Sequence, residues 1–437
     1  MRFGRSWERL GMTYKDTPLG KMPDTWETAK IKDVAKVVTD YVANGSFASL
    51  AENVTYRSEE DVAVLIRLVD YNNDFKGDFV FIDEHAYEFL SKSKLFGGEI
   101  IISNVGANVG TIFRCPVLKY KMSLAPNAIM VQFNGNDSFY YHWLKGHYGQ
   151  KMLKSIVTGS AQPKFNKTNF RDMLVPVPPI EVQNKIASLL DAIEYKIAQN
   201  TAINENLEQQ AQAIFKSWFV DFEPFGGVMP DDWQTKNIAE MDVLVTDYVA
   251  NGSFKSLSQN VKYQSEETNN VLIRLTDYNN NYSSDMVYIT DSAYEFLTKS
   301  KLFGDEIIIS NVGVNVGTVF RCPRLEKRMS LAPNSIMLRS DLLGHYLYLY
   351  FTSPYGQQQL KSIVTGSAQP KFNKTNFRSL SVLLPNSEIL DSFNAIYTPI
   401  YDMIANNFNE NQRLAALRDT LLPKLMNGEI DVSKVMI

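Results

Sequence analysis

Two stretches of the chain carry apolar residues at every seventh position, a pattern that predicts long helices with a packing stripe. The first stretch covers residues 181–219 and would be about 58 Å long at 1.5 Å per residue. The second begins 207 residues later, and Pro423 is expected to end or kink it early. Asn200 and Asn407 each occupy one position of the stripe. The apolar positions are Ile186, Ile193, Leu207 and Ile214 in the first copy and Phe393, Ile400, Leu414 and Leu421 in the second.

The residues ahead of each long helix contain short apolar runs separated by turn signals. Runs rich in valine and isoleucine at 64–68 and 99–103 predict strands. Asn44-Gly45 and its counterpart Asn251-Gly252 predict tight turns. Each of these portions is therefore expected to be a globule rich in strands and turns.

The chain is a tandem repeat with an offset of 207 residues. Positions 39–171 and 246–378 are identical at 88 of 133 places, and the comparison needs no insertion or deletion. The 19 residues Leu153–Arg171 recur unchanged as Leu360–Arg378. Solenoid units have only about 20–50 residues, so this repeat is a duplicated pair of full-sized modules. The order of parts is globule, long helix, globule, long helix.

Four asparagines lie near the middle of the two heptad stripes. If the helices pair antiparallel about a pseudo-two-fold axis, the midpoint of each helix meets its own counterpart, and the asparagine patches face each other and fix the register. The alternative is that these side chains point to solvent from an irregular stripe. The residues are Asn200, Asn204, Asn407 and Asn411.

Composition and charge limit the class of protein. Apolar residues make up 45% and charged residues 21%, as in an ordinary globular protein. No apolar run is long enough to span a membrane, and the first 21 residues do not resemble a signal peptide. Cys115 and Cys322 lack metal-ligand spacing and suit a reducing, cytoplasmic location as buried free thiols. With a net charge of −4, nucleic-acid binding has to come from local basic patches.

No histidine is repeated in the two copies. A repeated histidine base or metal ligand is excluded, although a histidine site in one copy alone stays open. The glycine-rich segment 106–110 lacks the third glycine of a dinucleotide fingerprint and the lysine of a P-loop, so it is expected to connect two strands. No metal site is predicted. The histidines are His85, His142, His147 and His345, and they align with Ser292, Leu349, Pro354 and Ser138.

Positive charge is concentrated ahead of each long helix. Residues 150–171 carry five cations and no acid, whereas residues 181–223 carry seven acids and three lysines. The loop 158–167 adds hydroxyl, amide and small side chains, which hold phosphates and approach base edges. The alternative is a solvated loop ahead of the helix. We expect phosphate contacts from Lys164, Lys167, Lys371 and Lys374, and groove contacts from Gln162, Asn166, Gln369 and Asn373.

Polar residues of the predicted turns are further candidates for contact with bases. Asn44 and Ser46 of the first copy recur as Asn251 and Ser253 in the second copy. An asparagine can form a bidentate contact with adenine. Asparagine also favours turns, so a purely structural role is the alternative.

Several segments resemble the DNA-specificity (S) subunit of Type I restriction–modification systems. The residues around Trp26 and Trp233 resemble the start of a recognition domain in that family. Residues 174–191, with a proline pair and a glutamine, resemble the junction into a conserved helix, and the Gly-Ser-Ala-Gln-Pro-Lys-Phe-Asn loop resembles the segment ahead of it. The second junction, 383–388, lacks both the proline pair and the glutamine.

The resemblance implies an α/β fold in which two similar target recognition domains are separated by two long antiparallel conserved helices. The expected parts are an N-terminal extension 1–21, a first recognition domain 22–178, a central helix 179–221, a second recognition domain 222–385, and a C-terminal helix and tail 386–437.

The resemblance also implies a subunit that reads double-stranded DNA without catalysing a reaction. Each domain would read one half of a bipartite site, and the helices would set the gap between the halves. Two methyltransferase (M) subunits would dock on the helices, and restriction (R) subunits would join them. S-adenosylmethionine, ATP and Mg²⁺ would belong to these partners, with no cofactor in this chain.

The likeness of the two copies predicts a nearly palindromic site, because similar readers related by a two-fold axis read inverted copies of one half-site. The divergent stretches 131–147 and 338–354 would make the halves differ if they read bases. Two other functions stay open: a scaffold without base readout, and a disfavoured single-chain fusion of restriction enzyme and methyltransferase, for which no cofactor motif is present.

Overall fold

The computed structural model describes residues 13–282 and 286–432. These residues divide into two compact units. The first comprises the residues up to Lys196 together with those from Leu414 onward, and the second comprises Ile197–Arg413. The predicted N-terminal extension lies partly outside the described residues, and the hairpin of Tyr14–Thr17 with Gly20–Pro23 crosses its predicted end at residue 21.

The first unit is a mixed α/β globule. Its strands are β1 (Tyr14–Thr17), β2 (Gly20–Pro23), β3 (Glu27–Lys30), β4 (Ala35–Asp40), β5 (Ala63–Ile66), β6 (Val80–Ile82), β7 (Lys94–Leu95), β8 (Ile100–Ser103), β9 (Ile112–Arg114), β10 (Lys121–Leu124), β11 (Ala128–Phe133) and β12 (Leu174–Val177). Its short helices are α1 (Ile31–Val34), α2 (Phe47–Asn53), α3 (Leu68–Asn72), α4 (Glu84–Phe89), α5 (Asp137–Lys145), α6 (His147–Ile156) and α7 (Lys167–Arg171).

Two four-stranded sheets form the body of the first unit. One has the order β4-β11-β8-β9 and is antiparallel throughout. The other has the order β6-β5-β10-β7, with β5 and β10 parallel. Strands β5 and β8 are buried at every position, as their runs of valine and isoleucine predicted. Cys115 is a buried free thiol, as is Cys322 in the second unit, which confirms that prediction.

The second unit repeats this design. Its strands are β13 (Gln234–Asn237), β14 (Leu244–Asp247), β15 (Tyr263–Gln264), β16 (Asn270–Ile273), β17 (Val287–Ile289), β18 (Lys301–Leu302), β19 (Ile307–Ser310), β20 (Val319–Arg321), β21 (Arg328–Leu331), β22 (Ser335–Arg339) and β23 (Ser381–Leu384). Its short helices are α9 (Phe254–Asn260), α10 (Leu275–Asn279), α11 (Asp291–Phe296), α12 (Gly344–Thr352), α13 (Pro354–Ser362) and α14 (Lys374–Arg378). The sheet β14-β22-β19-β20 corresponds to β4-β11-β8-β9.

The long helices are α8 (Ile180–Phe219) and α15 (Ser387–Met426), each of 40 residues. The heptad pattern located α8 to within one residue. The expectation that Pro423 ends the second helix early was wrong, because α15 continues to Met426. Pro423 lies in the last turn, where its missing N–H removes one bond, and the burial of Leu425 and Met426 in the first unit offsets that loss.

The four asparagines of the heptad stripes meet within the second unit. Asn200 Nδ2 donates to Asn411 Oδ1 at 2.9 Å, and Asn407 Nδ2 donates to Asn204 Oδ1 at 2.9 Å. The lower number on one helix pairs with the higher number on the other, so these helix segments run antiparallel. Asn200 meets the counterpart of Asn204, not its own counterpart.

The residues after each long helix pack in the same way in the two units. Phe219, Phe222 and Phe225 surround Trp233 with ring centroids 5.4–5.8 Å apart. In the first unit the equivalent residues after α15 pack near Trp26, and the Tyr14 hydroxyl donates to the carbonyl of Gly428 at 3.0 Å. The end of the described chain therefore completes the core of the first unit.

Candidate nucleic-acid interface

The basic loop of each unit is closed at its base by the backbone. Thr158 and Lys164 exchange two backbone hydrogen bonds of 2.8 and 2.9 Å, and Thr365 and Lys371 repeat the pair. Gly159 has a φ of +87°, and a Cβ there would lie 2.8 Å from the Gln162 carbonyl oxygen. Glycine is therefore required at this position, and the loop has one defined conformation.

The basic loop docks on the glycine-rich connection between β8 and β9. The N–H of Gly106 donates to the Pro163 carbonyl at 2.9 Å, and Asn104 exchanges hydrogen bonds with the backbone of Phe165. This confirms that residues 106–110 connect two strands. The second unit repeats each of these contacts from Gly313 and Asn311.

The loop residues predicted to contact DNA differ in whether their side chains already have partners within the protein. Gln162 and Lys164 are exposed. Asn166 caps α7 by accepting a hydrogen bond from the N–H of Asn169 at 2.7 Å. Lys167 forms an ion pair of 2.9 Å with Asp40, which uses one of its three donors. Their counterparts Gln369, Lys371, Asn373 and Lys374 have the same environments, with Lys374 3.1 Å from Asp247.

The segment predicted to be a tight turn is a 3₁₀ turn, Tyr41–Asn44, that leads into α2. The predicted tight turn is thus present, and it takes the 3₁₀ form, with Gly45 at its end. The asparagine side chain also holds the loop that contains Lys92. Asn44 Nδ2 donates to the Tyr41 carbonyl at 3.0 Å and to Ser93 Oγ at 2.8 Å, and Oδ1 accepts from the N–H of Lys92 at 2.8 Å. Asn251 makes the same three bonds in the second unit.

These bonds use both amide donors of Asn44 inside the protein, so we no longer expect it or Asn251 to read a base. Ser46 and Ser253 are exposed N-caps of α2 and α9, each accepting a 3.3 Å bond from the backbone. Both serines keep a hydroxyl donor for a ligand.

A basic cleft lies beside the 3₁₀ turn in the first unit. It has a volume of about 510 Å³ and is bounded by β4, α7 and the loop that carries Lys92. The cations that line it are Lys32, Lys36, Lys92, Lys167 and Arg171. Among them Lys167 was predicted to contact phosphate, and Arg171 belongs to the same predicted run of positive charge at residues 150–171. Lys32, Lys36 and Lys92 come from separate parts of the sequence and show no motif.

An aromatic cleft of about 520 Å³ also borders the 3₁₀ turn, through Tyr41 and Val42. Tyr41, Phe47 and Tyr56 line it together with Asn104 and Val105, the residues on which the basic loop docks. Phe47 is 82% exposed, and so is its counterpart Phe254. The basic cleft, the aromatic cleft with Phe47 and the basic loop of the first unit are here together called its recognition face. The equivalent residues of the second unit are called the recognition face of that unit.

A polar cluster joins the first globule to α8. Asp191 accepts from Arg114 at 2.6 Å and from His142 at 2.8 Å, and Ser138 also donates to it. Burial raises the pKa of Asp191, but the hydrogen bonds from His142, Ser138 and Arg114 outweigh burial and hold that pKa below its usual range.

The same cluster contains the one grouping of possible metal ligands among the described residues. The ligand atoms of His142, Asp191 and Glu194 lie within 4.8 Å of one another. The Arg114 guanidinium already forms an ion pair with Asp191, and it would repel a metal cation bound to the same carboxylate. The geometry therefore describes a domain-to-helix junction.

The second unit has an aromatic junction at the equivalent place. Arg321 donates to His345 Nδ1 at 2.9 Å and lies over the ring of Tyr401. Burial, with the nearby Arg321, lowers the pKa of His345 to about 4, so this histidine is neutral at pH 7.

The divergent stretches of the repeat lie at these junctions. In the first unit the stretch contains α5, whose residues 139–144 are buried. In the second it contains α12, with Tyr346, Leu347 and Phe351 at most 1% exposed. The differences are therefore accounted for by packing against α8 and α15.

The two units thus share one design, in which a globule with an exposed basic loop is joined to a long helix. A sequence profile for the Type I restriction modification DNA specificity domain matches residues 23–209 and again residues 230–415. The chain therefore belongs to this family.

Relatives are similar along the whole chain. The MjaIX specificity subunit of Methanocaldococcus jannaschii is 22% identical over 97% of both chains. The HindI specificity subunit of Haemophilus influenzae is 25% identical over 64% of this chain and 74% of its own. The EcoKI specificity subunit of Escherichia coli is 21% identical over 94% of this chain and 90% of its own.

The fold is also found in a solved structure. The S subunit of a Type I restriction–modification system from M. genitalium has a TM-score of 0.56 and 13% identity, over 92% of this chain and 96% of that one. The chain is thus a specificity subunit. Subunits of this class are non-catalytic, and catalysis is carried out by other subunits. Within the described residues, no helix is both long and apolar enough to cross a membrane.

Proposed function

We propose that the chain reads a bipartite, nearly palindromic DNA site and presents it to two methyltransferase (M) subunits. The observation that supports this most is the identity of the two basic loops, which lie within an unchanged stretch of 19 residues and have the same backbone docking. Alike side chains held in alike conformations select alike bases.

A second observation on the recognition faces supports the proposal that the two domains read the same half-site. Eleven of the thirteen residues that line the aromatic cleft are identical in the second copy, and the exceptions are Ala51 and Ala128, each replaced by serine. The stretch that differs most, 131–147, is largely buried at the junction with α8. Base reading by that stretch, which would make the half-sites unlike, therefore loses its support.

The expected partners follow from the family. The M subunits would dock on the long helices and supply S-adenosylmethionine, and the restriction (R) subunits would supply ATP and Mg²⁺ chemistry. On this proposal the chain itself needs no cofactor and acts in the cytoplasm. Its recognition domains would be 22–178 and 222–385, with the helices between and after them setting the spacing of the half-sites.

An electrophoretic mobility shift assay with a pool of random DNA sequences tests this function. The chain, purified together with its M subunit, is bound to the pool, and the retained DNA is sequenced. We expect enrichment of two short inverted elements at a fixed spacing. Retention without enrichment would favour a scaffold without base readout. S-adenosylmethionine binding by the chain alone would favour the fused single-chain enzyme.

A further inference from the structure

The two recognition faces differ most in the basic cleft. We propose that the first unit grips the DNA backbone there, through Lys32, Lys36, Lys92 and Arg171, and that the second unit grips it more weakly while reading the same bases. This inference rests on the proposed function. It assigns phosphate contacts to residues outside the basic loop. It also means that the two units differ in the strength of their electrostatic binding to the DNA backbone.

The first step of the argument is the charge of the cleft. Lys32 lies 2.9 Å from Asp172, but Lys30 pairs with the same carboxylate at 3.2 Å, so one anion serves two cations and the pair keeps a net positive charge. Lys167 pairs with Asp40 at 2.9 Å. Lys36, Lys92 and Arg171 are exposed and have no ion-pair partner among the residues that the structure describes. Three cations whose charge is not neutralised within the protein leave the cleft ready for an anion.

The second step is the comparison with the other copy. Lys32 is replaced by Ala239 and Lys36 by Val243, whereas Lys92, Lys167 and Arg171 keep their charge as Lys299, Lys374 and Arg378. Ala35 is replaced by Asp242, which adds a negative charge. The second unit therefore has two cations fewer and one anion more at the same place.

The third step is the contrast with the neighbouring aromatic cleft. Only six of the ten residues that line the basic cleft are kept in the second copy, against eleven of thirteen in the aromatic cleft. Three of the four changes alter charge. The divergence thus changes the contacts that hold phosphates and spares the surface where bases are expected.

The fourth step is the identity of the anion. The cleft lies beside the 3₁₀ turn that separates it from Phe47 and the aromatic cleft, and Asn44 fixes the backbone of Lys92 at its rim. Several cations that line one cleft next to an exposed reading surface suit the phosphodiester backbone of the duplex being read.

The test exchanges residues between the two copies, so that each substitution is one that the fold already tolerates at the equivalent place. Lys32→Ala with Lys36→Val makes the first cleft like the second. Ala239→Lys with Val243→Lys makes the second like the first. Lys119→Gln is the matched control, because Lys119 is 72% exposed and does not line the cleft.

The complex with the M subunit is titrated with DNA carrying its own methylation motif at several salt concentrations. Loss of two phosphate contacts reduces the salt slope by about 1.8, so that raising salt fourfold costs the wild type about 12-fold more affinity than the Lys32→Ala, Lys36→Val variant. The reverse exchange raises the slope by a similar amount. The control and the methylated motif stay unchanged.

An unchanged slope in the Lys32→Ala, Lys36→Val variant, with motif-specific binding intact, would overturn the inference. So would a changed motif, because the cleft would then read bases. Wild-type complex that binds all DNA sequences alike would instead contradict the proposed function, which keeps the two failures distinct.

Discussion

The side-chain carbonyl of Asn44 accepts a hydrogen bond of 2.8 Å from the backbone N–H of Lys92. The bond joins residues 48 positions apart and holds a cation of the basic cleft beside the 3₁₀ turn. Asn251 and Lys299 repeat it at 2.8 Å. An asparagine that resembled a base reader in the sequence thus positions a neighbouring cation, and a mutation can distinguish these roles.

Asn44→Ala is expected to lower the free energy of unfolding by about 1–3 kcal/mol, because the N–H of Lys92 loses its partner. Urea unfolding of the full chain measures this change. Asn260→Ala is the control, since that exposed asparagine makes one bond within its own helix turn, and its cost is expected to be below about 0.5 kcal/mol. If the two variants are equally stable and Asn44→Ala changes the methylation motif, the result would favour a role of Asn44 in reading a base.

Lys164→Gln is expected to weaken binding to all DNA sequences alike and to reduce the salt slope by about 0.9, because Lys164 is an exposed cation on the basic loop. Gln162→Ala is the matched variant on the same loop. It should leave the slope unchanged and reduce discrimination at one base pair by about 1–3 kcal/mol. Titrations against motif and mismatched DNA separate these effects. A full salt slope in Lys164→Gln would exclude the phosphate contact.

The register role of the helix asparagines predicts a double-mutant cycle with strong coupling. Asn200 is fully buried, so Asn200→Leu should cost about 1–3 kcal/mol by leaving Asn411 without its partner. The pair Asn200→Leu with Asn411→Leu should cost less than the sum of the single changes, because both amides are then removed. Urea unfolding measures each variant. Additive costs would mean that the two asparagines do not act as a pair.

Gly428→Ala is expected to destabilise the chain more than Gly227→Ala does. Both glycines have positive φ, +73° and +77°, so both substitutions cost about 1–2 kcal/mol of backbone strain. A Cβ at Gly428 would in addition lie 2.4 Å from Pro23 Cγ, whereas nothing lies within 4 Å at Gly227. Thermal unfolding of the two variants compares them. Equal losses would show that the chain after α15 does not pack on the first unit.

The helices were predictable because their pattern reports burial directly. The heptad stripe of α8 located its start to within one residue, since a packing face forces apolar residues into a fixed period. The pattern failed at Pro423, where a local rule against proline was outweighed by the burial of Leu425 and Met426. That burial depends on the core of the first unit and is not visible in the residues of α15.

The candidate site was only partly predictable. Lys164 and Gln162 were found because their charges and amides lie close together in the sequence. Lys32, Lys36 and Lys92 were missed, because the fold brings them to the cleft from parts of the chain far from the basic loop, and the Asn44 bond holds the backbone of Lys92 there. Repeat comparison carried a signal that could have found Lys36, since its replacement by Val243, next to Asp242 in place of Ala35, changes the charge of this segment between the copies.

Mapping methyladenine across the chromosome of a host that expresses this chain with its M subunit is the most decisive test of equal half-sites. Long-read sequencing locates each modified adenine, so the motif emerges from the positions of methylation themselves. We predict a bipartite motif whose halves are inverted copies of each other, because the basic loops and aromatic clefts that would read them are nearly the same. A bipartite motif with unlike halves would contradict the equivalence of the two recognition faces.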